Sequence, residues 1–310
     1  MDTTIVLNQK NLNLIADRIS CPTYDRKKLK LGMIHIGVGG FHRSHQAFYT
    51  HQLLENFNTL EWGICGIGLR EGDRKIHDVL SKQDGLYTLI IRHPDGNIES
   101  KIIGSISDFL LSVDNPDTVV ERMADPATRI VSLTITEGGY NFNPSTGEFD
   151  FENPDIQHEL KHPENPKTAY GFLTAALKRR RHAGLPAFTI LVCDNIEHNG
   201  DMMQKMLLAF AEVQDSDLAK WIAKEVQFPN SMVDRITPVT TPSDIEILAQ
   251  NYGLQDAWPV TCEPFIQWVV EDKFSNGRPE FGKVGVQFVP DVEPYEKMKL
   301  RLLNAGQSVV

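Results

Sequence analysis

Residue types that do chemistry gather in a few places of this 310-residue chain. The first is MIHIGVGGFHRSH, residues 33–45, where a short strand runs into Gly37-Val38-Gly39-Gly40 and a helical pattern follows. Glycines in that context let a backbone approach a pyrophosphate, and a helix start offers free N–H groups. His42 occupies the third glycine position of the dinucleotide fingerprint, so spacing alone leaves a plain tight turn as open as a cofactor site. An acid for the ribose hydroxyls is due roughly 20 residues further on. The second strand ends at Gly68 without one, and Glu71 and Asp73 in the loop LREGDRK are the nearest. An acid there favours NAD by repelling a 2′-phosphate, while Arg70 and Arg74 beside it pull the other way.

Ligands of open α/β sheets bind beyond the carboxyl ends of the strands. Two such ends are unusually polar: TITEGGY, with Glu137 before Gly138-Gly139, and CDNIEHNG, with Asp194, Asn195, His198 and Asn199. Asp194 and Asn199 serve equally well as helix caps. Asn195 is the stronger functional candidate, because a strand-end carboxamide can hold a substrate oxygen. In FPNSMVDRITP, Asp234-Arg235 reads first as a buried ion pair fixing a strand. Finally, EKMKLRLLNAGQSVV brings Glu296, Lys299, Asn304 and Gln307 within a ~140° arc of one helix at about 100° per residue. On its own that arc is more simply a solvent face. His42, His45 and His51 invite a metal reading, but no cysteine or carboxylate nearby completes a ligand set, so no metal site is expected.

The elements that must position these residues alternate. Strands are predicted at 33–37, 62–68, 86–92, 129–136, 187–193 and 284–289, several of them continuous and β-branched, as for strands covered on both faces. Helices are predicted at about 43–56, 168–184, 201–225 and 242–252. Such alternation predicts an α/β fold with a mostly parallel sheet and flanking helices. Residues 142–168, rich in Pro, Asn, Glu and Asp, read as a long surface excursion. A boundary falls near 290, where Pro290 and Pro294 bracket Asp291 ahead of a new helix.

Composition narrows the class. A net charge of −10 argues against nucleic acid, which wants a basic face. No stretch approaches the ~20 apolar residues of a membrane span. The N-terminus lacks the basic start and apolar run of a secretory signal. Cys21, Cys65, Cys193 and Cys262 are widely spaced, and Cys65 and Cys193 fall in strand-like runs, as buried thiols of a reducing compartment do. A cytoplasmic location is expected; no oligomeric state is specified, and a monomer is compatible with all of this.

Taken in order, GVGGFHRSHQA, SLTITEGGY, CDNIEHNG, FPNSMVDRITP, CEPFIQWVVEDKFSNGRP and KVGVQF resemble the mannitol dehydrogenase family of long-chain polyol-specific dehydrogenases, from about residue 10 onwards. The resemblance implies a zinc-independent, NAD-dependent interconversion of a polyol and a ketose, typically mannitol and fructose. It implies a Rossmann-type domain over 1–290, followed at 291–310 by the first helix of a helical substrate domain whose remainder is absent, so a truncated member is expected. Carried over residue by residue, it makes Lys299 the general base, Asn195 and Asn304 the holders of the reacting oxygen, and Glu296 a proton relay. Gln307 would contact substrate, standing where the family has a histidine. The cofactor set becomes Gly37, Gly39, Gly40, Phe41, Arg43, Asp73, Glu137 and Asp234, the last near the nicotinamide ribose. A lysine is a base near neutral pH only when desolvation or nearby positive charge assists, and an oxidised nicotinamide brings such charge. The alternatives are a uronate reductase (fructuronate or mannonate) of the same superfamily and a non-catalytic NAD-binding remnant.

Overall fold

Short, largely apolar runs become strands buried on both faces. In the computed structural model, every residue of Met33–Ile36, Ile64–Gly68, Ile130–Leu133 and Thr189–Val192 is buried. Burial of each large side chain there contributes about 1.5–3 kcal/mol. The structure describes residues 4–143 and 145–307; the side chains of Glu137 and of 302–307 lie outside the described residues.

The chain divides into two compact units, each built from separate stretches. The first comprises 1–128, 235–266 and 279–284. Its strands Ile106–Leu111, Ile64–Gly68 and Met33–Ile36 lie side by side and parallel, in that order. The helices Gly40–Ser44, Gln46–Phe57, Arg74–Lys82 and Pro116–Ala124 alternate with them along the chain. The same unit holds a second sheet, in which Tyr87–Arg92 pairs antiparallel with Ile98–Ile103 and parallel with Val260–Cys262.

The second unit comprises 129–234, 267–278 and 285–310. Ile130–Leu133 and Thr189–Val192 pair in parallel, with Pro154–Lys161 and Ala169–His182 between them in the chain. Gln267–Glu271 lies between Gln287–Val289, to which it is parallel, and Ser231–Asp234, to which it is antiparallel. Met232, Val269 and Val292 form a small buried cluster, joined by Tyr295, against which the helix Glu293–Gln307 begins.

Several expectations need correction. The strand expected at 86–92 belongs to a hairpin, outside the parallel set, because His93–Asn97 turns the chain back with Gly96 at φ 88°. The helix expected at 201–225 is two, Asn199–Gln214 and Ser216–Glu225, since the Asp215 carboxylate accepts from the Leu218 N–H and caps a new start. The excursion at 142–168 contains Pro154–Lys161, with Asn153 as N-cap and Pro154 opening the helix, both standard start signals. The strand expected at 284–289 shortens to Gln287–Val289 behind a 3₁₀ turn at Phe281–Val284.

Candidate active site

In the first unit, the glycine turn is held from beneath and open above. Gly37 adopts φ 93°, a region that favours glycine, and its N–H bonds the Ile67 carbonyl at 3.0 Å. Val38 packs down onto the neighbouring strand so closely that a Cβ on Gly66 would meet Val38 Cγ2 at 2.6 Å. Gly39 is the reverse: a Cβ there meets nothing within 4 Å. Phe41 stacks on His45, with ring centroids 4.9 Å apart. Arg43, grouped with the ligand-facing residues by sequence, is buried. It donates to the carbonyls of Gly39 and Trp258 at 3.3 and 2.6 Å and lies over the Tyr87 ring, so its side chain braces the turn. His42 stacks on His35 at 3.4 Å, and burial with His35 and Arg43 alongside holds its pKa well below the usual imidazole range. Arg235 donates to the carbonyls of Ser44 and Glu263, at 2.6 and 3.0 Å, where an ion pair with Asp234 was expected.

The acid missing from the end of the second strand arrives from the loop. A 3₁₀ turn over Glu71–Asp73 folds back, and the Asp73 carboxylate accepts from the Arg70 N–H at 3.0 Å. A Cβ on Gly68 would meet Asp73 Cβ at 2.7 Å, so the strand ends in glycine because the carboxylate residue occupies that space. Arg74 is claimed by two acids: Nη2 donates to Glu71 Oε2 at 2.9 Å and to Asp114 Oδ1 at 2.7 Å. An exposed backbone turn and a carboxylate at the next strand end are the parts that hold a dinucleotide pyrophosphate and ribose.

In the second unit, the polar strand end after Thr189–Val192 is tied on every side. The Asp194 carboxylate accepts from the N–H groups of Ile135 and Thr136, both at 3.0 Å, and from the Tyr140 hydroxyl at 2.8 Å. These bonds hold Thr136 at φ 60°, a strained value for a β-branched residue. Burial raises the Asp194 pKa, and the same donors pull it back. Asp194 therefore fixes the TEGGY turn and does not cap the following helix. Asn199 fixes the other side: its side chain bonds the carbonyls of Asp194 and Ser231 and accepts from the Ser231 N–H. Asn195, left exposed between these anchors, faces the helix Glu293–Gln307.

Lys299 of that helix reaches into the strand end. Its Nζ donates to Asn195 Oδ1 at 2.9 Å and to the Val233 carbonyl at 2.6 Å, with Asp234 Oδ1 at 3.6 Å. One turn earlier, the buried Glu296 accepts from the His198 N–H at 3.1 Å through Oε1. Its Oε2 is buried without a hydrogen-bond partner and lies 4.0 Å from His198 Nδ1. Burial raises the Glu296 pKa, and His198 opposes the shift. Glu296 and Lys299 line a cavity of about 80 Å³ with Asn195 and Val233. A lysine amine and a carboxamide converging on one small cavity can hold an oxygen and move its proton.

Asn304 and Gln307 lie on the same helix, but their side chains, like that of Glu137 in the short helix Thr136–Gly139, lie outside the described residues. Sequence reasoning missed the contact of His198 with Glu296. No local pattern signals it, because 98 positions separate the two. Among the described residues, no group of three or more His, Cys, Asp or Glu is arranged to hold a metal.

Comparison with known proteins matches the same stretches. A family model described as "Mannitol dehydrogenase Rossmann domain" matches residues 31–283. The chain is 49% identical to mannitol 2-dehydrogenase of Phaeosphaeria nodorum, covering 99% of this chain and 54% of that protein. It is 49% identical to the Aspergillus terreus enzyme of the same name, covering 98% and 62%. Among solved structures, a ternary complex of Pseudomonas fluorescens mannitol 2-dehydrogenase with NAD and D-mannitol aligns at TM-score 0.92 and 52% identity, over 95% of this chain and 60% of that one. A substrate-free D-sorbitol dehydrogenase aligns at TM-score 0.93 and 43% identity, over 97% and 62%. The chain thus spans between 54% and 62% of the length of these relatives. Similarity of this degree along nearly the whole sequence makes the chain a member of the mannitol dehydrogenase family, whose Rossmann domain it carries.

Proposed function

We propose that this protein catalyses the reversible, NAD-dependent oxidation of mannitol to fructose, with Lys299 as general base. The observation that carries the reading is Lys299 Nζ seated 2.9 Å from Asn195 Oδ1, in a chain whose relatives are named mannitol 2-dehydrogenases. Those names favour a polyol over a uronate substrate.

Bound NAD would supply the acceptor for the hydride of the alcohol carbon. Lys299 takes the hydroxyl proton. Asn195 and Asn304 donate amide hydrogen bonds to the oxygen as negative charge develops on it; such donors strengthen in the transition state without competing for the proton. Asn195 suits that task because its Oδ1 is occupied by Lys299, leaving its N–H₂ group to donate. Glu296 relays the proton away from Lys299, and Gln307 bonds a sugar hydroxyl. The turn Gly37–Gly40, with Phe41 beside it and Arg43 bracing it, receives the pyrophosphate, and Asp73 accepts from ribose hydroxyls. Glu137 and Asp234 complete the cofactor contacts, with Asp234 nearest the nicotinamide ribose. Because Glu71 and Asp114 hold Arg74, that guanidinium is not available to a 2′-phosphate, which favours NAD over NADP. The helix Glu293–Gln307 opens the family's substrate domain. We place the protein in the cytoplasm.

The test is NADH formation from mannitol, arabinitol and mannonate, alongside direct titration with NAD. Turnover is expected with mannitol first. Lys299→Ala should lower kcat by about a hundredfold or more near neutral pH while NAD affinity stays within about twofold. Turnover with mannonate but not mannitol would replace the polyol reading. Full activity of the lysine variant would remove Lys299 as the base.

A further inference from the structure

We propose that His198 is the outlet of the proton path, exchanging protons between Glu296 and bulk solvent. This rests on the reading of Lys299 as base and Glu296 as relay. A relay needs a group at the surface end, since a buried carboxylate exchanges slowly with water on its own. Glu296 is 6% exposed, and one of its oxygens is already committed to the His198 N–H. The other oxygen is buried and unpartnered, and the titratable atom 4.0 Å from it is His198 Nδ1. The His198 side chain is 52% exposed. One residue thus bonds the carboxylate through its N–H, places its ring nitrogen 4.0 Å from the free oxygen, and reaches solvent.

The local backbone supports this placement. His198 sits at φ 51°, a left-handed value that histidine adopts more readily than most non-glycine residues, at the residue preceding the helix Asn199–Gln214. That conformation, pinned by Asn199 to the carbonyls of Asp194 and Ser231, turns the His198 N–H onto Glu296. The charged groups facing Glu296 are His198 and Glu197 of the strand-end loop, Glu271 of the strand Gln267–Glu271, and Lys299 of its own helix. The two glutamates disfavour ionisation of Glu296, and His198 opposes them.

The sequence of transfers balances. Lys299 accepts the alcohol proton as the carbon loses its hydride to the bound nicotinamide. The proton passes from the Lys299 ammonium to the Glu296 carboxylate through water in the 80 Å³ cavity, which has room for about two or three molecules. It then moves from Glu296 Oε2 to His198 Nδ1, once a side-chain shift closes the 4.0 Å between them to hydrogen-bond distance, and leaves to solvent. In ketose reduction the order reverses.

The experiment is single-turnover polyol oxidation by the full protein in weak buffer, following NADH absorbance and proton release to an indicator dye together. His198→Asn keeps a residue that tolerates the left-handed backbone and keeps the N–H bonded to Glu296. Proton release should lag NADH formation by about tenfold or more in this variant, and added imidazole should restore it. A structural role would show no such rescue. Proton release coincident with NADH in His198→Asn overturns the proposal. If Glu296→Gln slows release while His198→Asn does not, His198 alone fails; if neither slows it, the Glu296 relay itself fails. Absence of turnover in the parent protein removes the reaction the relay serves, and the proposal with it.

Discussion

Replacing Asp73 by Asn is the sharpest probe of the cofactor reading. Asn keeps an oxygen for the Arg70 N–H, the 3.0 Å bond that shapes the turn, so the change removes charge and little else. A carboxylate and a 2′-phosphate about 4 Å apart repel by about 4 kcal/mol at an effective dielectric of 20. Asp73 is only partly buried, so solvent and salt reduce this to about 1–2 kcal/mol. The NAD ribose also loses a charged acceptor and keeps a neutral one, which costs about 1 kcal/mol. The ratio of NADPH to NADH affinity should therefore rise by about 2–3 kcal/mol, or about thirty- to 150-fold. Calorimetric titration with each reduced cofactor measures the ratio, and an unchanged melting temperature shows the fold intact. Adding Asp114→Asn should raise it further, because Arg74 would then be held by Glu71 alone. A ratio that moves less than twofold in the intact variant refutes the placement of Asp73 at the ribose.

The two faces of the glycine turn separate fold from binding. Gly39→Ala meets no neighbour within 4 Å and should melt like the parent, yet lose about tenfold or more in NAD affinity if the pyrophosphate approaches there. Gly66→Ala forces Val38 to shift and should destabilise by about 1–3 kcal/mol in urea unfolding. Equal effects of the two changes on melting would contradict this geometry. Glu159 provides a pH test: buried, it accepts from the N–H groups of Lys167 and Thr168 at 2.5 Å, and burial raises its pKa. A carboxyl with a raised folded-state pKa contributes stability that is fully present below the ordinary value, about 4.3, and lost as pH rises through the folded value. Relative to Glu159→Gln, the parent should be more favoured at about pH 4 than at pH 7, and a difference independent of pH would show that the carboxyl does not titrate differently on folding.

Much of the site was legible because its residues lie where periodicity ends. Asn195 follows a continuous apolar run, and Gly37–Gly40 follows another, so strand ends and the proposed ligand positions coincide in the sequence. The Rossmann character was legible for the same reason, and the family match over 31–283 bears it out. The hairpin at 87–103 was not, since an isolated apolar run does not state which strand it pairs with. Nor was the purpose of Asp194 or Arg43. Asp194 read as a helix cap or a ligand group and Arg43 as a cofactor contact, and both side chains bond backbone atoms brought near by the fold.

The sequence by itself determined the chemical inventory and its order: a glycine turn, strand-end amides, a lysine-bearing helix and the family they belong to. These are local, written in residue type and short spacing. Tertiary structure alone decided which groups meet. It set Asp73 against Gly68, Lys299 against Asn195 at 104 positions' separation, and Glu296 against His198. The physical reason is that such contacts follow from where buried surfaces force the chain to return, and that is a property of the packed core as a whole.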